Sequence, residues 1–249
     1  MKKRLVKNVL VTGGTRGIGR AIAFAFAERN YNVAITGLTD HKEALNTLKV
    51  LSEKGSDSRL FYSDFMLNGA IEKLFEDFDT HYDHLDVFVN NAGWTKYIPH
   101  ENLDELTEDI FDRIININLK SVFYCAVQAA KRMEGRNNCI INISSIAAFN
   151  GNGSNIAYCA AKAGVVSITK SLARVLGNRI RVNSVAPGLT ETDMTKIGPE
   201  EYRLGEINIT PMGRIASPED VADAVISITE NTKFINGQTI IVDGGRFLQ

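Results

Sequence analysis

Asn8-Val-Leu-Val-Thr-Gly-Gly-Thr-Arg-Gly-Ile-Gly19 (NVLVTGGTRGIG) runs a short apolar, β-branched stretch into a glycine-rich loop, and Arg20-Ala-Ile-Ala-Phe-Ala-Phe-Ala27 follows at once. The pattern predicts a strand, a tight turn and a helix. Gly13, Gly17 and Gly19 allow the turn and a close backbone approach, with Thr15, Arg16 and Ile18 between them. The helix behind them offers unpaired N–H groups and a positive dipole end to a diphosphate. A glycine pattern alone is a weak signal. Placed after a first strand and opening a helix, it points to a dinucleotide cradle.

Outward from this stretch, short β-branched runs alternate with longer amphipathic ones. Strands are expected at 8–12, 31–36, 59–62, 85–90, 139–143, 180–185 and 239–242, and helices among others at 19–29, 42–54, 69–81, 110–133 and 156–176. Most of the strand runs are apolar throughout, as in a parallel sheet covered on both faces. Repeated strand-helix-strand units predict right-handed crossovers and an α/β, doubly wound Rossmann fold of about seven parallel strands in a single domain spanning 1–249. Residues 188–217 break the regularity with Pro199 and Pro211, and Ser217-Pro218-Glu219-Asp220 then starts a helix. A substrate lid is expected over 189–216.

Composition excludes several functions. A net charge of -1 leaves no basic excess for a nucleic-acid backbone. Cys125, Cys139 and Cys159 have neither CxxC nor metal-ligand spacing, and the four histidines form no ligand set with them, so no metal is expected. The apolar run behind the basic residues 1–4 stops at Gly13, too short for a signal-peptide core or a membrane span. A reduced cytoplasmic location is expected.

About twenty residues past the glycines, NAD-preferring folds place an acid on the ribose 2′-hydroxyl. Here Gly37 takes that place, Arg16 offers a cation and Thr39 a hydrogen bond, which favours NADP(H) over NAD(H), although Asp40 and Glu43 follow closely.

In Asn155-Ile-Ala-Tyr-Cys-Ala-Ala-Lys162, Tyr158 and Lys162 stand four apart in a helical run, so their side chains share one face. Together with Thr12-Gly13-x-x-x-Gly17-x-Gly19, Asn90-Asn91-Ala92-Gly93, Asn118, Ser145 and Pro187-Gly188, this pair resembles the single-domain short-chain dehydrogenase/reductases along essentially the whole chain. The resemblance implies that Tyr158 donates a proton to a carbonyl oxygen as a nicotinamide hydride arrives. A free phenol titrates near pKa ~10, so Lys162 is expected to lower it. The resemblance further implies that Lys162 holds the nicotinamide ribose and Ser145 the substrate oxygen, while Asn118 holds a water that relays protons to solvent. Asp64 is implied as an adenine contact, and Asn91, Ala92 and Gly93 as lining the cofactor's path. Pro187, Gly188, Thr190 and Thr192 are implied to lie against the nicotinamide. Ser144 competes with Ser145, which has the family spacing to Tyr158.

The stretches VTGGTRGIGRAIA, YCAAKAGVVSITKSLAR, RVNSVAPGLTETDM and INGQTIIVDGG resemble the 3-oxoacyl-acyl-carrier-protein reductase branch, which belongs to fatty acid biosynthesis. That branch implies docking of an acidic carrier through Arg136 and Arg179, or Arg181 in place of Arg179, and commonly a homotetramer. The segment after Gly93 runs longer than usual there and brings Trp94, Tyr97 and His100 toward the pocket mouth, where Trp94 either stacks on a substrate ring or packs. A dehydrogenase or reductase of a small sugar, polyol or cyclic alcohol is the alternative. A non-catalytic dinucleotide sensor would have no need of the Ser145, Tyr158 and Lys162 set.

Overall fold

The computed structural model describes residues 6–39, 42–135, 137–193, 195 and 200–248. Seven parallel strands form one sheet: β1 (Asn8–Val11), β2 (Asn32–Gly37), β3 (Arg59–Tyr62), β4 (Val87–Asn90), β5 (Asn138–Ile143), β6 (Ile180–Pro187) and β7 (Thr239–Val242). Their order is β3-β2-β1-β4-β5-β6-β7, so the chain winds outward from β1, then returns to place β4 on its other side. A crevice opens at that reversal, outside the carboxyl ends of β1 and β4.

Alternation along the strands feeds two apolar layers. Val9, Val11, Val33 and Ile35 face one way onto α1 (Gly17–Ala27) and α9 (Pro218–Ile226), through Ile22, Phe26, Val221 and Val225. Leu10, Phe88, Ile140 and Val182 face the other way, onto α3 (Ala70–Asp79), α5 (Ser121–Arg132) and α7 (Ile156–Leu176). With α2 (Lys42–Glu53) and the single-turn α6 (Ala147–Asn150) between β5 and α7, this is the doubly wound single sheet that strand-helix alternation predicts.

The helix expected over 110–133 is three pieces. Helix α4 (Glu108–Ile115) passes through a π turn at Asn116–Lys120 into α5. The Asn118 amide donates to the Ile114 carbonyl at 2.9 Å and the Ser121 hydroxyl to that of Ile117 at 2.6 Å, so side chains engage carbonyls of the helix ladder at the turn. The irregular stretch after β6 contains α8 (Glu200–Ile209), whose Glu206 pairs with Arg246 at 3.1 Å near the C-terminus. Ser217 starts α9 as expected: its hydroxyl accepts the Asp220 N–H while the Asp220 carboxylate accepts the Ser217 N–H.

A buried polar chain crosses the second layer. Asn90 donates to Asn142 at 2.8 Å and to the Val122 carbonyl at 3.1 Å, and Asn142 donates to the Thr169 hydroxyl at 2.9 Å. These bonds satisfy groups that would otherwise be stranded in an apolar interior.

Candidate active site

The glycine loop is held rigidly from behind. The Gly13 N–H donates to the Thr36 hydroxyl at 2.9 Å, and the Asn91 amide donates to the Thr12 and Gly13 carbonyls, both at 3.0 Å. The Thr12 hydroxyl accepts the N–H groups of Asn91 and Ala92. A Cβ at Gly19 would lie 2.2 Å from the Gly13 carbonyl oxygen, so only glycine fits. Helix α1 opens at Arg16 with no side-chain cap and no acid in its first turn, which leaves its N–H end free for an anion. This construction fits a dinucleotide diphosphate. Thr12 and Thr36 carry much of it; the sequence motif includes Thr12 without assigning it this bracing role, and it passes over Thr36, a threonine near the carboxyl end of β2.

Around this cradle the structure gathers the other expected contacts along the carboxyl edge of the sheet. Ala92 approaches Gly13, and Thr192 lies 3.3 Å from where a Gly17 Cβ would stand. The Thr190 hydroxyl donates to the Gly188 carbonyl, and the Pro187 carbonyl accepts the Ile146 N–H. Asp64 turns the chain after β3 by accepting the Met66 N–H at 3.0 Å. Thr15 contacts the end of β2, where its methyl would meet a Gly37 Cβ at 2.9 Å, and Thr39 is exposed just beyond. Arg16 is exposed and, among the described residues, has no ion-pair partner. Glu43 is paired with Arg20 at 3.3 Å, which offsets one of the two acids near the ribose end, and Asp40 lies outside the described residues.

The acid-base groups sit where β5 meets α7. The Ser145 hydroxyl accepts the Ala147 N–H at 3.2 Å and lies near enough to Tyr158 to favour its ionised form. Ser144 is buried and donates to the Lys162 carbonyl at 2.9 Å, so Ser145 alone reaches the phenol. Lys162 is buried, donates from Nζ to the Ile143 carbonyl at 2.9 Å and sits 5.5 Å from the centre of the Tyr158 ring. Burial lowers the Lys162 ammonium to about 8. The phenol departs from expectation: burial pushes Tyr158 up to about 12, and the nearby Ser145 hydroxyl only partly opposes this. Lys162 does not depress it, because the ammonium lies over the ring and is turned toward β5.

Asn118 is fully buried and heavily committed. Its amide donates to the Trp94 carbonyl at 2.6 Å as well as to that of Ile114, and its oxygen accepts the Trp94 N–H at 3.3 Å. Both amide hydrogens are therefore spent on fixing the chain after β4, and a water could reach this side chain only through a remaining lone pair on Oδ1. Gly93 permits the approach, since a Cβ there would lie 2.8 Å from that oxygen.

Trp94 packs. Arg113 covers its ring at 4.2 Å from the centroid, and it joins Ile114, Leu106 and Tyr158 in a small apolar cluster. His100 bonds to the Gly153 carbonyl at 3.2 Å. Of the arginines expected to dock a carrier, Arg136 lies outside the described residues and Arg179 is exposed. Arg181 is buried, its guanidinium donating to the carbonyls of Ile228, Thr229, Thr232 and Ile235, so it cannot meet a carrier. No group of three metal-ligating side chains occurs among the described residues, and no described helix is long and apolar enough to cross a membrane.

Residues 13–246 match the family model described as enoyl-(acyl carrier protein) reductase. The chain is 36% identical to the 3-oxoacyl-[acyl-carrier-protein] reductase FabG of Staphylococcus aureus over 98% of its own length and 100% of that protein's. A crystal structure described as a short-chain dehydrogenase/reductase from Burkholderia xenovorans superposes with a TM-score of 0.92 at 28% identity, covering 99% of this chain and 100% of that one. The angucycline C-6 ketoreductase LanV, solved with bound NADP, gives a TM-score of 0.90 at 30% identity, covering 98% of this chain and 96% of that one. With the glycine loop, the Ser145, Tyr158 and Lys162 cluster and these full-length likenesses in agreement, the chain belongs to the short-chain dehydrogenase/reductase family of NAD(P)-dependent oxidoreductases.

Proposed function

We propose that this protein reduces the keto group of a 3-oxoacyl chain, carried by an acyl carrier protein, to the secondary alcohol, using NADPH. The observation that carries the chemistry is buried Lys162 with its ammonium 5.5 Å from the centre of the Tyr158 ring and Ser145 beside the phenol, on the same sheet edge as the uncapped helix α1. A dinucleotide held by the glycine loop and Lys162 would supply the hydride. Ser145 orients the carbonyl oxygen and stabilises its growing charge. Tyr158, with its pKa raised to about 12, is protonated at neutral pH and donates to that oxygen as it becomes basic. Lys162 holds the nicotinamide ribose and returns a proton to the phenol, with Asn118 fixing the neighbouring wall.

NADPH is favoured over NADH by Arg16, which has no ion-pair partner among the described residues, by Gly37 in the acid's place and by the likeness to NADP-bound LanV. Carrier selectivity rests on the likeness to FabG and on Arg136 and Arg179 as docking cations. Residues 189–216 would cover the bound substrate. A homotetramer in the cytoplasm is the expected setting, with the groove of about 680 Å³ lined by Phe149, Val166, Ala173 and Ile241 as one subunit contact.

The test is NADPH and NADH oxidation against 3-oxoacyl carrier, free 3-oxoacyl thioesters, sugars and cyclic ketones. Preference for the carrier with NADPH supports the proposal. Preference for a sugar or cyclic ketone would instead select the small-alcohol reading, which the likeness to LanV favours.

A further inference from the structure

Asn155, the residue that opens helix α7, does two things at once. Its Oδ1 accepts the N–H of Tyr158 itself at 2.8 Å, while its amide donates to the Thr95 hydroxyl at 3.1 Å and to the Lys96 carbonyl at 2.7 Å. It is 1% exposed, so these bonds are shielded from water. The loop it grips is the long segment after β4. That loop is stapled to the same place by Ile98, whose N–H donates to the Ser154 carbonyl at 2.8 Å, and by a bond between the hydroxyls of Thr95 and Ser154. Trp94 of this loop and Tyr158 also pack against the same apolar cluster of Ile114, Ala157 and Ala161. One amide therefore fixes the first turn of the catalytic helix with its oxygen and the substrate-side loop with its nitrogen.

We infer that Asn155 is a positioning residue that locks the loop after β4 to the backbone of Tyr158, setting where a substrate carbonyl meets the phenol. The inference rests on the proposed role of Tyr158 as proton donor. An ordinary helix cap needs only an acceptor, and serine supplies one as well as asparagine does. The amide donors toward Thr95 and Lys96 are surplus to capping. Breaking them frees the loop while the helix start is kept, so the effect falls on substrate geometry and spares the dinucleotide cradle on the other side of β4.

Steady-state kinetics with NADPH and a free 3-oxoacyl thioester, on wild type, Asn155→Ser, Thr95→Val and the double variant, test this. Asn155→Ser is expected to raise substrate KM about tenfold, the scale of two net hydrogen bonds, and to lower kcat severalfold, with KM for NADPH nearly unchanged and Tm lower by a few degrees. Thr95→Val, which removes one of the two acceptors together with the bond to Ser154, should also raise substrate KM, and because the Asn155 to Thr95 bond is common to both changes the double variant should fall short of the sum of the two. Wild-type kinetics in Asn155→Ser, an equal rise in KM for NADPH, or additive effects would overturn the inference. If Asn155→Ser does not fold, Thr95→Val decides: wild-type substrate KM in that variant overturns it. Tyr158→Phe, run alongside, separates the two claims. An active Phe variant removes the proton-donor reading itself, whereas an inactive one beside an unaffected Asn155→Ser removes only the lock.

Discussion

Lys162 and Tyr158 meet face-on, with the ammonium 5.5 Å from the centre of the ring. A phenylalanine at 158 keeps that ring and that contact and deletes only the hydroxyl. Tyr158→Phe should therefore lower turnover by at least ~10²-fold, the scale of general acid-base assistance, while the dinucleotide dissociation constant stays within about twofold of wild type. Fluorescence titration of NADPH beside stopped-flow turnover would check both halves.

Burial of Lys162 also writes a signature into stability. Its folded pKa of about 8 lies below the ordinary 10.5, so between those pH values the unfolded chain binds more protons than the native one. Wild-type stability relative to Lys162→Met should then rise with pH above 8, at no more than about 1.4 kcal/mol per pH unit. Tyr158 acts the opposite way above pH 10, because its folded value is raised to about 12. Denaturant melts between pH 7 and 10 isolate the lysine, and a flat difference across that range would show that the ammonium is not desolvated.

Arg16→Ala should weaken NADPH about tenfold or more, as loss of a charge-assisted bond to a phosphate does, and leave NADH unaffected. Arg16 is exposed, so Tm should not move. Gly37→Asp is a harsher test of the same preference, since its Cβ would push on the Thr15 methyl at 2.9 Å. Equal KM changes for both cofactors in Arg16→Ala would refute a 2′-phosphate contact.

The two arginines that start β6 should separate cleanly. Arg179→Glu should cut kcat/KM for a 3-oxoacyl carrier and flatten its salt dependence, with a free thioester reduced as before. Arg181→Ala, by contrast, strands four carbonyls. It should cost about 3 kcal/mol or more of stability and impair every substrate alike. Thermal melts with paired kinetics distinguish these outcomes.

The sheet was legible because its strands are continuous apolar runs and its first turn is rich in glycine, so period and punctuation both survive in one dimension. The Tyr158 and Lys162 pairing was legible because helical spacing puts them on one face. Identical local grammar concealed the rest. Nothing in the pattern of 110–133 separates an unbroken helix from one with a π turn, because the Asn118 bonds that go with the turn reach a residue 24 positions away. Arg179 and Arg181 look alike in sequence, and only the fold decides that one faces solvent and the other the carbonyls after α9. Asn155 stood inside the most informative stretch of the chain, yet its partners Thr95 and Lys96 belong to another loop. The phenol's raised pKa was hidden for the same reason, since desolvation is a property of packing.

The bond between Asn90 and Asn142 bears on how the chain avoids assembling wrongly. These residues lie opposite each other where β4 pairs with β5. Both strands are apolar on their two faces, so sliding one past the other by a residue would cost little hydrophobic burial, and greasiness alone would tolerate several near-degenerate alignments. The asparagines remove that degeneracy. A slipped pairing would set each amide against an apolar side chain and leave its donors and acceptors dry and unmatched, at ~1–3 kcal/mol per group. Two polar side chains in the middle of the molecule thus single out one alignment of β4 and β5, the one that fixes where the end of β5 presents Ser145 to Tyr158.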